Sequence, residues 1–268
     1  MRLRALLASP LGFLIGLSLG ALGGGGSILA VPALVYGAGQ SPKAATASSL
    51  LLVGMASLIG LRPHLRAGRV RVGTGLAFGA AGIPGSVLGT AVNHRLDPDH
   101  LLVAFAGLVL LAAWRMLTGC PTCTNVGNDE VLRAGSGAVS VAARIDVRRS
   151  VAIIAAGSAV GFLTGLFGVG GGFVIVPALT LLLQLNMPTA IGTSLLVISV
   201  NAAVGLAARV GTTGIEWGVT LPFAVAAVAG VLTGGRVAGR LEPRRSLRWF
   251  AALLVVVAVY TGVDGLLG

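Results

Sequence analysis

A glycine-rich segment occurs twice in the chain, and this internal repeat limits the folds that the chain can adopt. "LGALGGGGSILAVPAL" occupies residues 19–34, and "TGLFGVGGGFVIVPAL" occupies residues 164–179. The match continues downstream, where "SPKAATASSL" (41–50) aligns with "MPTAIGTSLL" (187–196) after a one-residue gap. The chain is therefore a tandem duplication, and we expect two halves of related fold.

The composition places these halves in a membrane. Hydrophobic residues make up 55% of the chain and charged residues 10%, far from the balance of soluble domains. Apolar stretches of about 20 residues, enough to cross ~30 Å of hydrocarbon, recur along the chain. We interpret the apolar segments as 10–37, 43–61, 72–92, 101–118, 151–184, 188–208, 217–238 and 247–266. The predicted fold class is an all-α polytopic membrane protein.

The basic excess, 19 Lys and Arg against 8 Asp and Glu, does not indicate a nucleic-acid partner. The charges stand singly or in small clusters between apolar runs, without interleaved aromatic residues. Loop charges of this kind orient a membrane protein, because basic loops prefer the cytoplasmic side.

The nineteen basic residues also discriminate between parallel and inverted repeats. If all eight segments cross and the N-terminus lies inside, twelve basic residues face the cytoplasm. If the first and fifth segments dip in and return, and the N-terminus lies outside, fourteen do. We therefore predict two inverted repeats of about four helical segments each, with the first and fifth broken or re-entrant at their glycine motifs. Residues 1–118 form membrane repeat 1, 119–150 a cytoplasmic linker loop and 151–268 membrane repeat 2.

The glycine runs predict a polar site inside the membrane. Glycine weakens a helix by about 1 kcal/mol per residue relative to Ala, and exposed backbone amides are tolerated in hydrocarbon only where they line a cavity. We expect a half-helix to end within 23–27 and within 168–172, and a second to begin near Ser27 or Gly172. Two such N-termini form an anion site without a basic side chain. The alternative is that the glycines only permit close helix packing.

Hydroxyl and amide side chains are the expected complement to those amides. None of the eight carboxylates lies deep in an apolar segment, so neither a proton relay nor a cation substrate is expected. Ser48 and Ser194 are the strongest side-chain candidates because the repeats match there, although membrane Ser and Thr also bond to carbonyls one turn earlier. The predicted substrate site comprises Gly25, Gly26, Ser27, Ser48, Ser49, Gly170, Gly171, Gly172, Thr193, Ser194 and Asn201.

Cys120 and Cys123 form a "CPTC" pair in the central loop, the spacing of a redox or metal site. Without a second pair or a nearby His, we expect neither a metal nor a cofactor. A membrane sulfur relay that uses one of these thiols stays open as an alternative.

The two glycine cassettes and the closing "GRLEPRRSLRWFAALLVVVAVYTG" resemble the TauE/SafE family of sulfite and sulfonate transporters. The resemblance implies that the motif positions are Gly23, Gly25, Gly26, Gly168, Gly170, Gly171, Pro32 and Pro177. It also implies a multi-pass protein of a bacterial or archaeal inner membrane that moves small sulfur oxyanions or organosulfonates. Phe173 has no aromatic counterpart in the first repeat, so the two half-sites are expected to contribute unequally.

We therefore predict a secondary transporter rather than an enzyme, which exports sulfite or organosulfonates down the membrane potential. Its expected partners are a small anionic substrate and membrane lipid, with a homodimer left open as its assembly. The alternative within the same class is a proton- or sodium-coupled importer of thiosulfate or a sulfonate.

Overall fold

The computed structural model describes residues 2–93, 98–118, 147–167, 172–207, 217–240 and 243–267. Within these ranges the regular structure is helical throughout. The helices are α1 (Arg2–Leu22), α2 (Gly25–Pro32), α3 (Pro42–Arg66), α4 (Val72–Asn93), α5 (Pro98–Thr118), α6 (Val147–Phe167), α7 (Gly172–Leu181), α8 (Met187–Ala207), α9 (Trp217–Arg240) and α10 (Pro243–Leu267). A π-helical turn, Ala33–Gly37, extends α2.

The first predicted segment is broken at its glycines, as expected. Helix α1 ends at Leu22, and Gly23 adopts a φ of +78°, a left-handed conformation that favours glycine. Helix α2 then returns alongside α1, because Gly26 packs against Ile15 and Leu19. The chain therefore reverses direction after Gly23 and folds back along α1.

The fifth segment contains two described helices. Helix α6 ends at Phe167 and α7 begins at Gly172, and residues 168–171 lie outside the described part of the chain. The central loop with Cys120 and Cys123 also lies outside it. Helix α6 begins at Val147, four residues before the boundary that we draw at 151.

The main helix contacts join the two repeats to each other. Helix α1 packs on α9, α4 on α6, α3 on α8 and α5 on α10. A shift of 145 residues converts the first pair into the second: a Cβ on Gly12 would meet the carbonyl oxygen of Phe223, and a Cβ on Gly157 that of Phe78. The interface between α1 and α9 is therefore equivalent to that between α6 and α4, as a pseudo-two-fold arrangement requires.

Glycines allow the crossing helices to approach closely. A Cβ on Gly16 would collide with the backbone of Ala227, and one on Gly161 with the backbone of Gly82. Gly85 and Gly230 make the same kind of contact with α6 and α1. This is small-residue packing of membrane helices, so glycines outside the cassettes explain part of the repeated pattern.

Contact registers give the directions of the helices. Gly12, Gly16 and Gly20 of α1 lie against Phe223, Ala227 and Val231 of α9, so these two helices run parallel. Helices α4 and α6 run parallel by the same criterion. Helices α3 and α8 run antiparallel, because Gly54 contacts Ala202 whereas Gly60 contacts Leu195.

The two ends of the bundle differ in charge. We call the end at which α3 finishes and α8 starts the basic end, and the opposite end the far end. Arg62 and Arg66 lie near the C-terminal end of α3, and Arg69 and Arg71 lie in the connection from α3 to α4, so all four belong to the basic end.

Four helices of the described residues are long and apolar enough to cross a membrane by length and composition. They are Ala44–Arg66, Val72–Gly89, Met187–Ala207 and Trp217–Arg236. Shorter apolar stretches lie in the remaining helices, among them Pro10–Leu22 and Ala104–Thr118. The chain is thus a helical protein with several membrane-crossing segments.

Candidate functional site

A cavity of about 430 Å³ lies between α3, α4, α6 and α8, and residues of α2 and α7 line its inner part. Its wall is largely apolar, with Val31, Phe78 and Ile175 among the contributors. Six polar side chains also line it: Ser27, Thr46, Ser49, Ser86, Thr164 and Asn201. None of the described lining residues is charged.

The cavity extends toward the far end of the bundle. Its lining on α3 covers 46–53, in the first half of that helix, and its lining on α8 covers 197–205, in the second half. Because these helices are antiparallel, both halves belong to the far end. At the basic end the corresponding region is filled by packed residues such as Leu195, which is fully buried.

The two half-helices begin next to each other at the inner end. Gly24, which precedes α2, lies against the carbonyl group of Gly172, the first residue of α7. Ser27 of α2 contacts the same Gly172. The first turn of any helix leaves backbone N–H groups unpaired and carries about half a positive charge. Two such termini meet here, where Ser27 lines the cavity.

Several cavity hydroxyls donate to their own helices. Ser27 Oγ donates to the carbonyl of Gly24 at 2.8 Å, and Ser49 Oγ donates to that of Thr46 at 2.9 Å. Thr164 Oγ1 donates to the carbonyl of Val160 at 2.7 Å. These bonds satisfy the hydroxyl protons locally. Backbone N–H groups and the Asn201 amide are therefore the main sources of donors for an anion.

Three of the predicted side chains line the cavity: Ser27, Ser49 and Asn201. Among the predicted glycines, Gly25 and Gly172 begin the two half-helices. Gly26 packs on α1 instead, and Gly170 and Gly171 lie outside the described residues.

Ser48, Thr193 and Ser194 are buried outside the cavity lining, each in a defined contact. Ser48 Oγ lies 2.9 Å from Thr220 Oγ1 of α9. Thr193 Oγ1 accepts the backbone N–H of Arg71 at 3.1 Å. Ser194 Oγ donates to the carbonyl of Gly23, the residue at the break after α1, at 2.8 Å.

The sequence reasoning did not single out Ser86 of α4 and Thr164 of α6, although both line the cavity. A signal for them exists in the repeat alignment. Their equivalents 145 residues away are Val231 and Leu19. The same contrast occurs outside the cavity lining, where Ser158 is equivalent to Phe13 and Thr233 to Leu88, so it selects candidate positions and does not identify cavity residues by itself.

No group of three or more His, Cys, Asp and Glu residues that could hold a metal ion occurs within the described ranges. The polar groups that the cavity offers are hydroxyls, an amide and backbone groups. Such groups suit the recognition of an oxyanion by neutral donors.

The family profile described as "Sulfite exporter TauE/SafE" matches residues 8–261 of the chain. The chain belongs to the TauE/SafE family. A "Probable membrane transporter protein" of Xylella fastidiosa is 31% identical over 252 residues, which cover 93% of this chain and 91% of that protein. This TauE/SafE protein is also 26% identical to the "Probable membrane transporter protein YunE" of Bacillus subtilis, over 96% of this chain and 93% of that one.

A third relative, the "Probable membrane transporter protein y4hK" of Sinorhizobium fredii, is 26% identical and covers 94% of both chains. No solved structure matches the chain. Family and relatives together identify the TauE/SafE protein as a membrane transporter rather than an enzyme.

Proposed function

We propose that this TauE/SafE protein exports small sulfur-containing anions, sulfite or organosulfonates, across the inner membrane of a bacterium or archaeon. One observation carries the proposal: the N-termini of α2 and α7 meet beside Ser27, which lines a cavity whose described lining residues bear no charge. Converging helix N-termini in a site of low polarity favour an anion over a cation or a neutral solute.

The anion's oxygens would accept hydrogen bonds from the first-turn amides of the two half-helices. The Asn201 amide would supply a further donor from α8. The apolar wall formed by Phe78 and its neighbours suits the organic part of a sulfonate. The same site has room for sulfite with accompanying water, since the cavity volume is about 430 Å³.

The proposal includes an inverted arrangement of the repeats. Contact registers support this arrangement. The equivalent helices α3 and α8 run in opposite directions, and α9 runs parallel to α3, because Ser48 lies against Thr220 whereas Gly60 lies against Val231. A substrate site between inverted repeats with broken helices is the architecture of many secondary transporters.

The basic end is assigned to the cytoplasm. This orientation places fourteen of the nineteen basic residues on the cytoplasmic side, in agreement with the positive-inside rule. The cavity, which extends toward the far end, then communicates with the outside. In this proposal an exported anion leaves from the state in which the cavity extends toward the far end.

The membrane potential supplies a driving force for export. Exit of a monovalent anion from an inside-negative compartment is favoured by roughly 2.3 kcal/mol per 100 mV. Export therefore requires no coupling ion, and the described cavity lining contains no carboxylate that would relay protons.

Sulfite efflux from proteoliposomes tests the proposal. Purified protein is reconstituted with sulfite inside, a potential is imposed by a K⁺ gradient, and no proton or sodium gradient is present. Taurine, sulfoacetate and thiosulfate are added as competitors. Asn201→Ala, inside the cavity, is compared with Thr233→Ala, a helix residue outside the cavity lining whose hydroxyl donates to the carbonyl of Ala229.

We expect efflux that follows the potential and falls for Asn201→Ala but not for Thr233→Ala. Efflux that begins only when a proton or sodium gradient is added would replace this proposal with a coupled importer. Equal efflux from both variants and the parent would place the anion elsewhere.

A further inference from the structure

The basic end of the anion site is closed by a short connection of the chain. Residues 67–71, between α3 and α4, lie across the first half of α8, and we call them the strap. A Cβ on Gly192 would collide with the carbonyl oxygen of Arg69, so the strap sits directly on the backbone of α8. One residue further along, Thr193 Oγ1 accepts the N–H of Arg71 at 3.1 Å.

The strap is also tied to the end of α3. The backbone N–H of Arg69 donates to the carbonyl of His64 at 2.9 Å. The His64 side chain is 7% exposed and packs beside Gly192. Its Nδ1 has no hydrogen-bond partner among the described residues.

Equivalent positions of α3 and α8 differ in their access to the cavity. With the one-residue gap of the alignment, Gly192 corresponds to Thr46 and Leu195 corresponds to Ser49. Thr46 and Ser49 line the cavity on α3, whereas Leu195 is fully buried on α8. The structure thus contains one open and one closed version of the same surface. Transporters built from inverted repeats expose a central site to each side of the membrane in turn, and in each state one repeat adopts the open arrangement and the other the closed one.

We propose that the strap, seated on Gly192 and Thr193, is the gate that closes the anion site at the basic end, and that it lifts from α8 when the site opens there. The inference rests on the proposed function for the identity of the transported anion, but not for the motion itself. Leu195 packs against Gly60 of α3, so a strap that lifts together with the end of α3 to which it is tied would expose the surface around Leu195. It would also place Arg69 and Arg71 at the mouth, where their charge attracts anions.

Thiol labelling tests the gate without any measurement of transport. Both native cysteines are first replaced by alanine, giving the background Cys120→Ala/Cys123→Ala. One reporter cysteine is then added, either Leu195→Cys or its repeat equivalent Ser49→Cys. A membrane-impermeant maleimide is applied to proteoliposomes from the basic end or from the far end. The gate variant is Thr193→Val, which keeps the side-chain shape and removes the acceptor of the Arg71 N–H.

In the parent we expect Ser49→Cys to react from the far end and Leu195→Cys to remain unreactive from the basic end. Thr193→Val should accelerate labelling of Leu195→Cys from the basic end about tenfold or more and slow labelling of Ser49→Cys. The matched control is Thr233→Val on α9, which should change neither rate. A second gate variant, Gly192→Ala, introduces the Cβ that collides with Arg69 and should act in the same direction.

Opposite changes at the two reporters distinguish opening of a gate from general loosening, which would accelerate both. The proposal is overturned if Leu195→Cys reacts rapidly from the basic end in the parent, or if neither gate variant alters its rate. It is also overturned if both reporters accelerate together. Reciprocal labelling in a protein that fails to transport sulfite would reject the proposed substrate and retain the gate.

Discussion

Ser27 and Gly172 are equivalent positions of the two repeats, and they touch each other at the inner end of the cavity. A Cβ on Gly172 would collide with the Ser27 hydroxyl oxygen. The two half-helices can therefore begin side by side only because one of the paired positions has no side chain. The junction contains the hydroxyl of Ser27 alone, whereas identical repeats would place a second hydroxyl at position 172.

This relationship predicts a reciprocal rescue. Gly172→Ala should reduce anion efflux at least tenfold, because its methyl group separates the two helix N-termini. Ser27→Gly combined with Gly172→Ser moves the side chain to the other repeat and should restore much of the efflux, since residues in contact are energetically coupled. Efflux of the parent, Ser27→Gly, Gly172→Ser and the double variant Ser27→Gly/Gly172→Ser forms the double-mutant cycle that measures the coupling. Additive losses would show that the contact does not matter for transport.

Asn201 is predicted to recognise the anion through its amide. Asn201→Asp keeps the shape but adds a negative charge to the cavity, so we expect the KM for sulfite to rise by at least tenfold. Asn201→Ala should raise it less, because it removes a donor without adding repulsion. Initial rates of efflux at varied internal sulfite give these constants. A KM for Asn201→Asp equal to the parental value would remove Asn201 from the site.

Ser194 is predicted to hold the break after α1. Its hydroxyl donates to the carbonyl of Gly23 in a fully buried position. Ser194→Ala leaves that carbonyl without this donor, which costs about 1–3 kcal/mol, and should lower both the melting temperature and the efflux. Ser199→Ala on the same helix serves as control. Both hydroxyls donate to a carbonyl of α8 itself, Ser194 to that of Ile191 and Ser199 to that of Leu195, whereas among the described residues it is Ser194 that also reaches Gly23. Equal losses in both variants would argue against a specific role at the break.

The crossing of α4 and α6 is predicted to depend on Gly161. A Cβ there would collide with the backbone of Gly82, and overpacking of this kind costs about 1–3 kcal/mol. Gly161→Ala should therefore lower the melting temperature in detergent. Gly107→Ala on α5 is the matched control, since within the described residues no atom outside the adjoining backbone of α5 lies within 4 Å of a Cβ at that position. It should be neutral or stabilising because Ala favours helix.

The cysteine pair distinguishes a transporter from a sulfur relay. Cys120→Ala/Cys123→Ala should leave sulfite efflux within about twofold of the parent, because the proposed site is formed by helix N-termini, hydroxyls and an amide, without a thiol. A thiol nucleophile would be essential to a relay, so loss of all activity in the double variant would favour that alternative. Efflux assays under reducing and oxidising conditions complete the comparison.

Much of the fold follows from local sequence properties. The hydropathy of the segments, the duplication and the glycine runs predicted helices close to those observed, and the half-helix begins at Gly25 near the expected Ser27. These features are readable because helix breaking and membrane insertion depend on neighbouring residues in the chain.

The composition of the site was harder to predict. Ser48 and Ser194 match between the repeats, yet both are held in contacts outside the cavity lining. The polar residues that line the cavity stand where the repeats differ, for example Ser49 against Leu195 and Asn201 against Met55. A residue that matches between the repeats serves a structural contact that both repeats need. The open cavity and the packed region at the other end need different residues, so the repeats differ at those positions.

The sequence by itself determined that the chain is a duplicated, helical membrane protein whose first and fifth segments break at glycines. Only the tertiary structure decided that α2 and α7 begin against each other and that the cavity extends toward one end. It also decided that the strap covers the other end. The physical reason is that hydropathy and helix propensity act within a segment, whereas contacts such as Gly172 with Ser27 and Gly192 with Arg69 depend on packing between residues that are more than 100 positions apart.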